Sequence, residues 1–183
     1  MMQDHGEHAR AWAIETILAC RIDDRANLLK AVFDLCRNAK LGDDQILYPL
    51  LDHPDADIVA STLHGLFEVF QHKAQLKSAI CALANGDPRD SWEMPIQTMA
   101  VNCLGKLAVS DPESFRYLLQ IAENRDFAEV PHKRAWQCLA ELANAEWRST
   151  DSEDMIMDPD SEASESIRCR IRAAIAERRS RQD

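Results

Sequence analysis

Ile46 to Phe70 reads ILYPLLDHPDADIVASTLHGLFEVF, two apolar segments separated by the polar turn Asp52 to Asp57. The reading that fits is a pair of helices folded back on each other, because neither segment alternates as a strand would and Pro-Asp pairs mark reversals. Weaker copies of the pattern follow. Ile96, Ala100, Leu104 and Leu107 are spaced by four, four and three residues, which makes one helical stripe. Ile58, Thr62, Leu66 and Val69 keep those spacings, and so do Pro131, Ala135, Leu139 and Leu142. The offsets between copies are 38 and 35 residues. A recurrence of that length, built of helix pairs that cannot bury a face alone, predicts a helical solenoid.

The segment LYPLLDHPDADIV resembles the HEAT-repeat pattern, in which a helix carrying an internal Pro ends in an Asp-Pro turn and a second helix begins on Val or Ile. The resemblance covers roughly residues 12 to 145 and implies a right-handed α-solenoid of about four antiparallel helix pairs. It also implies that Pro49 bends a first helix and that Asp52, Pro54 and Asp57 form the turn. Members of the family often carry Arg just after the Val or Ile, bonded to the turn acids. This chain has Val59, Gln97 and His132 there, so that ladder has no obvious donor.

Composition agrees with an all-α chain. Gly numbers five among 183 residues, and no alternating strand pattern stands out. The formal charge is −10, a poor match for non-specific binding to nucleic acid or to an anionic membrane. No secretory signal or membrane-length apolar run is visible, which points to the cytoplasm. The six cysteines form no C-x-x-C pair; reduced, buried thiols are the plain reading. No cofactor or metal is called for. Asp4, His5, Glu7 and His8 have a spacing that suits ligands on a helix, yet they belong to a terminal segment expected to fray.

In order, residues 9 to 20 make a first helix, with Trp12, Ile14, Ile17 and Leu18 apolar. Asp23 and Asp24 suit the start of a second, which runs to about Asn38 through Leu28, Leu29, Val32, Phe33, Leu35 and Cys36, with Gly42 as its left-handed cap. His72 to Ala84 places Leu76, Ile80 and Leu83 inward, and its partner runs from about Trp92 to Val109. Ser110 or Asp111 caps the next helix, with Phe115, Leu118, Leu119 and Ala122 as its core face. The repeat domain spans residues 1–147, followed by an acidic, Ser-rich linker at 148–164 that reads as disordered. A basic amphipathic helix at 165–183 aligns Ile167, Ile171 and Ile175 among six Arg. Docking on the acidic body and staying mobile are both open to it.

Two surfaces are candidates for binding. In the shared register the seventh positions of the second helices are His64, Asn102 and Gln137, and the eleventh are Glu68, Lys106 and Glu141. The resemblance implies that these six line a concave, partner-binding groove; an ordinary solvated face is the plainer alternative. The second is an acidic ridge formed by stacked turns, carrying Asp52, Asp55, Asp57, Asp87, Asp90 and Asp126. Its alternative is helix capping, which needs one acid per turn. His53 reads as a surface residue, and Trp136 as core.

No catalytic motif is present. The expected function is therefore a non-catalytic protein-binding scaffold whose partner has a basic surface, such as an inhibitor, an immunity protein or an adaptor. The alternative is an enzyme: alkylpurine DNA glycosylases and phycobilin lyases are HEAT-like. A glycosylase needs a basic concave surface, whereas residues 1 to 145 hold 14 basic against 21 acidic side chains. A third arrangement is a homo-oligomer whose exposed end packs on another copy.

Overall fold

A computed structural model describes residues 2–19, 24–124, 126–142, 165, 169–173 and 175–176. Among them the secondary structure is entirely helical, as the periodicity predicts. The chain divides into two compact units, residues 1–100 and 101–183.

Unit 1 opens with α1 (Met2–Ala19), which packs along α2 (Arg25–Arg37). The helix begins seven residues before the expected start, so the segment around His5 and His8 is helical. Glu7 there pairs with Lys40. Ala13 and Ile17 are buried on α1, and Leu28, Ala31, Val32 and Leu35 on α2, each set at helical spacing. Two apolar residues counted toward this core face outward instead: Leu18 and Phe33 are 70% and 74% exposed. Gly42 does adopt φ +93°, but five residues beyond the end of α2, inside the next turn. Asp43, buried in that turn, accepts from Arg10 of α1 and from the Lys40 N–H.

The organising stretch departs from a single bent helix. A short α-helical turn, α3 (Asp44–Leu47), gives way to a 3₁₀ turn at Tyr48–Asp52. Pro49 has no N–H to continue the α ladder, so the chain tightens instead of bending. His53 precedes Pro54 and is driven to extended backbone, ψ 143°. Asp55 then caps α4 (Ala56–His64), accepting from Asp57 N at 3.0 Å and Ile58 N at 3.2 Å. Ile58, Thr62, Leu63, Leu66 and Phe67 are buried. Beyond His64 the ladder widens to a π turn, Gly65–Val69, closed by Phe70 N–H to Gly65 O. That added residue rotates the stripe: Phe67 goes inward, and Val69, expected in the core, is 42% exposed.

α5 (Lys73–Ala84) buries Leu76, Ile80 and Ala84, with Leu83 only half-buried. α6 (Pro95–Leu107) starts three residues later than expected and leaves Trp92 exposed in the preceding loop. In unit 2, α7 (Pro112–Glu123) packs on α8 (Glu129–Leu142), capped by Asp111 with Pro112 in its first turn. Trp136 is buried as expected, with Leu118, Ile121, Ala135 and Leu139. Ile171 and Ile175 are buried too. Arg172 between them lies over the Trp136 ring, 5.4 Å from its centroid, and pairs with Glu123 and Glu165. The docked arrangement thus describes this part of the C-terminal helix; residues 143–164, 166–168, 174 and 177–183, which include the whole expected linker at 148–164, lie outside the described set.

Candidate functional site

The turns of unit 1 do come together at one edge, but not as a bare acidic ridge. Arg25, the first residue of α2, donates to Asp55 at 2.8 Å and pairs with Asp57. Arg89 grips Asp87 at 2.6 Å and donates to the Leu51 and His53 carbonyls at 2.7 and 3.1 Å. Its guanidinium holds the Asp87 carboxyl below the usual aspartate range. Asp90 is consumed as a cap, accepting from Ile96 N and Gln97 N at 2.8 and 2.9 Å. Of the five unit 1 acids in the expected ridge, only Asp52 is exposed. Asp126 belongs to unit 2, where it is exposed. Asp24 accepts from the Asn27 side chain and makes no backbone cap; Asp23 lies outside the described residues.

His53 corrects the surface reading, being only 5% exposed. Its Nδ1 accepts the Asp55 N–H at 3.0 Å, which places the neutral ring's proton on Nε2. The position just after the start of each stripe, Val59, Gln97 or His132, has a local structural job here. Gln97 Nε2 donates to the Ala84 carbonyl at the end of α5, 3.0 Å away. His132 Nε2 makes the equivalent bond to the Ala122 carbonyl near the end of α7, at 2.8 Å. Both satisfy a carbonyl that a helix end leaves without an intrahelical donor. Val59 has nothing to donate, and at that level Arg89 serves the carbonyls of the preceding turn.

The six residues expected in a groove fall in two places. His64 and Glu68 belong to unit 1, where His64 borders an open cleft of about 630 Å³. Val32, Phe33, Ala60, Val69 and Met99 supply its apolar surface, with Arg37 and Asp57 among the polar lining. The π turn delivers Val69 to this cleft. The Cys36 thiol also faces it, pushed up to about 11 by burial.

Asn102, Lys106, Gln137 and Glu141 are brought together in unit 2. Asn102, Lys106 and Glu141 line a pocket of about 290 Å³, with Gly105 and Cys138 at its wall. Arg134, which the register analysis missed, ties the group together. Its Nε donates to Asn102 Oδ1, and its Nη1 lies 3.1 Å from Gln137 Oε1 and 3.5 Å from Glu141. The available signal was helical spacing, since Arg134 stands three residues before Gln137 and seven before Glu141. Cys138, like Cys36, is pushed up to about 11 by burial. Cys169 departs from the buried-thiol expectation and is exposed.

Among the described residues no three His, Cys, Asp or Glu side chains gather as metal ligands, and no helix is long and apolar enough to cross a membrane. Comparison with family models, with curated proteins and with solved structures finds no match to this chain.

Proposed function

We propose that the chain is a non-catalytic protein-binding scaffold of HEAT-like solenoid character, and that the unit 1 cleft receives an apolar side chain from a basic segment of a protein partner. The observation that carries this reading is Phe33, 74% exposed beside a cleft already floored by Val32, Ala60 and Met99. Fully burying such a ring is worth about 1.5–3 kcal/mol, and here that stabilisation is left for an incoming chain. The net charge of −10 favours encounter with a basic partner. The cleft's own chemistry also suits binding over turnover. Asp57 is engaged by Arg25, and the Cys36 thiol is held protonated at neutral pH.

The test is affinity capture from the source cells with the wild-type chain, with Phe33→Asp and Val69→Asp, and with Leu41→Asp as an exposed control outside the cleft. Wild type and Leu41→Asp are expected to retain one basic protein in near-equal amount, and both cleft variants to lose it. Undiminished retention by the two cleft variants overturns the assignment of the cleft; an acidic partner overturns the charge argument.

A further inference from the structure

The unit 1 cleft has a direction. α2 and α4 run parallel along it, because Arg25 at the start of α2 holds Asp55 and Asp57 at the start of α4, while Cys36 near the end of α2 lies against Gly65 just past the end of α4. The lining is therefore ordered. At the starting end stands Asp57, already paired with Arg25. Phe33 and Ala60 supply apolar surface in the middle. At the finishing end stand Arg37, one turn beyond Phe33, and His64, with Ser61 three residues before it on the same helix face. Asp57 and His64 are seven residues apart, about 10 Å along the helix axis.

Arg37 is exposed, and among the described residues the side chains of Arg37, Ser61 and His64 make no hydrogen bond or ion pair. The carbonyl end of α2, which would oppose an anion, is already occupied: Asp34 O accepts from the Asn38 N–H at 3.1 Å and from the Asn38 side-chain amide at 2.8 Å. The finishing end thus offers a guanidinium with its fork free and two further hydrogen-bonding groups, beside an apolar wall. That combination complements a carboxylate carried close to an apolar side chain. Resting on the cleft being the partner site, we propose that its occupant is the C-terminal residue of a polypeptide, with its apolar side chain on Phe33 and Ala60 and its α-carboxylate on Arg37. A basic segment need hold no acidic side chain, but a chain end supplies a carboxylate whatever its composition. At a chain end the carboxylate and the side chain also leave the same Cα, so one residue fills both parts of the cleft.

The experiment follows the fluorescence anisotropy of peptides Lys-Arg-Lys-Ser-X, labelled at the N-terminus, with X each of the common amino acids in turn. Each is made as the free acid and as the C-terminal amide, and titrated with the full chain up to about 1 mM. Free acids ending in Leu, Met or Phe are expected to saturate and to bind at least about tenfold more tightly than their amides, the difference a charge-assisted hydrogen bond makes. Arg37→Gln changes an exposed side chain and should bring acid and amide to equal affinity with thermal unfolding unchanged, whereas Arg37→Lys should keep part of the preference. Phe33→Asp should weaken both forms. An amide that binds as well as its acid overturns the proposal, and the cleft reading survives that result if Phe33→Asp still weakens both. A preference for the acid that persists in Arg37→Gln, tighter binding of an amidated peptide carrying Glu beside Leu, or no saturation by any free acid also overturns it. Binding that Phe33→Asp leaves intact overturns the cleft reading as well.

Discussion

Asp43 shows what a single buried side chain does in this molecule. It accepts from Arg10 at 2.7 Å and from the Lys40 N–H at 2.9 Å, joining α1 to a turn 33 residues later. The Arg10 guanidinium, outweighing burial, holds its carboxyl below the ordinary value of 3.8. A carboxylate depressed on folding stabilises the native state above its unfolded value and loses that contribution as pH falls through the folded one. Asp43→Asn is accordingly expected to cost about 1.5–3 kcal/mol at neutral pH, the range for a charged hydrogen bond. The difference from wild type should shrink once the pH drops below 3.8, read as urea midpoints at pH 7 and pH 3. A difference unchanged by pH would remove the ion pair as its cause. The thiols give a second prediction at this scale. Cys36 and Cys138, raised from 9.0 to about 11, carry about a hundredfold less thiolate at pH 8 than ordinary cysteines, since thiolate falls tenfold per unit. Iodoacetamide should therefore label exposed Cys169 well before either, as followed by peptide mass spectrometry.

At the scale of elements, the two glycines of the register's inner face are not equivalent. A methyl group at Gly65 would clash with the Cys36 Sγ alone, at 2.5 Å, with Leu47 Cδ1 at an ordinary contact distance of 3.6 Å, and that thiol can rotate toward the cleft. At Gly105 it would meet both Sγ and Cβ of Cys138, at 2.6 and 2.8 Å, so rotating the thiol gives no relief. Gly105→Ala should cost about 1–3 kcal/mol despite the helix propensity it gains, and Gly65→Ala clearly less. Thermal unfolding of both single variants tests the ranking; equal losses would contradict it. How far these elements were legible follows the range of the interactions. Helix existence, the stripes at Ile58, Ile96 and Pro131, and the caps at Asp55 and Asp111 depend on residues within one or two turns, and the sequence carries them. The π turn after His64 has no such local signature, so Val69 was placed in the core although it faces the cleft. Phe33 was misplaced for a related reason: an apolar side chain on a helix does not reveal whether a neighbour covers it. Of the expected groove, Asn102, Lys106, Gln137 and Glu141 are associated in unit 2, but the arginine that joins them lay off the two columns.

For the whole molecule, the uneven distribution of charge matters more than its total. The six arginines of residues 168–181 follow an acidic body, and long-range attraction alone would be screened beyond about 8–10 Å at physiological salt. What holds the described part of that segment in unit 2 is short-range. Ile171 is 1% exposed, Ile175 is buried, and Arg172 lies over Trp136 while pairing with the half-exposed Glu123. Exposed ion pairs contribute at most about 1 kcal/mol, whereas truncating a buried Ile to Ala costs about 2–5 kcal/mol. Apolar burial, not the basic character of the segment, should therefore decide its docking. Ile171→Ala is expected to speed hydrogen exchange in α7 and α8, and Arg172→Gln to do so much less. Raising salt to about 1 M, where the screening length falls to about 3 Å, should leave the wild-type exchange pattern nearly unchanged. If the salt instead reproduces the Ile171→Ala pattern, charge holds the segment and the isoleucine stripe is secondary.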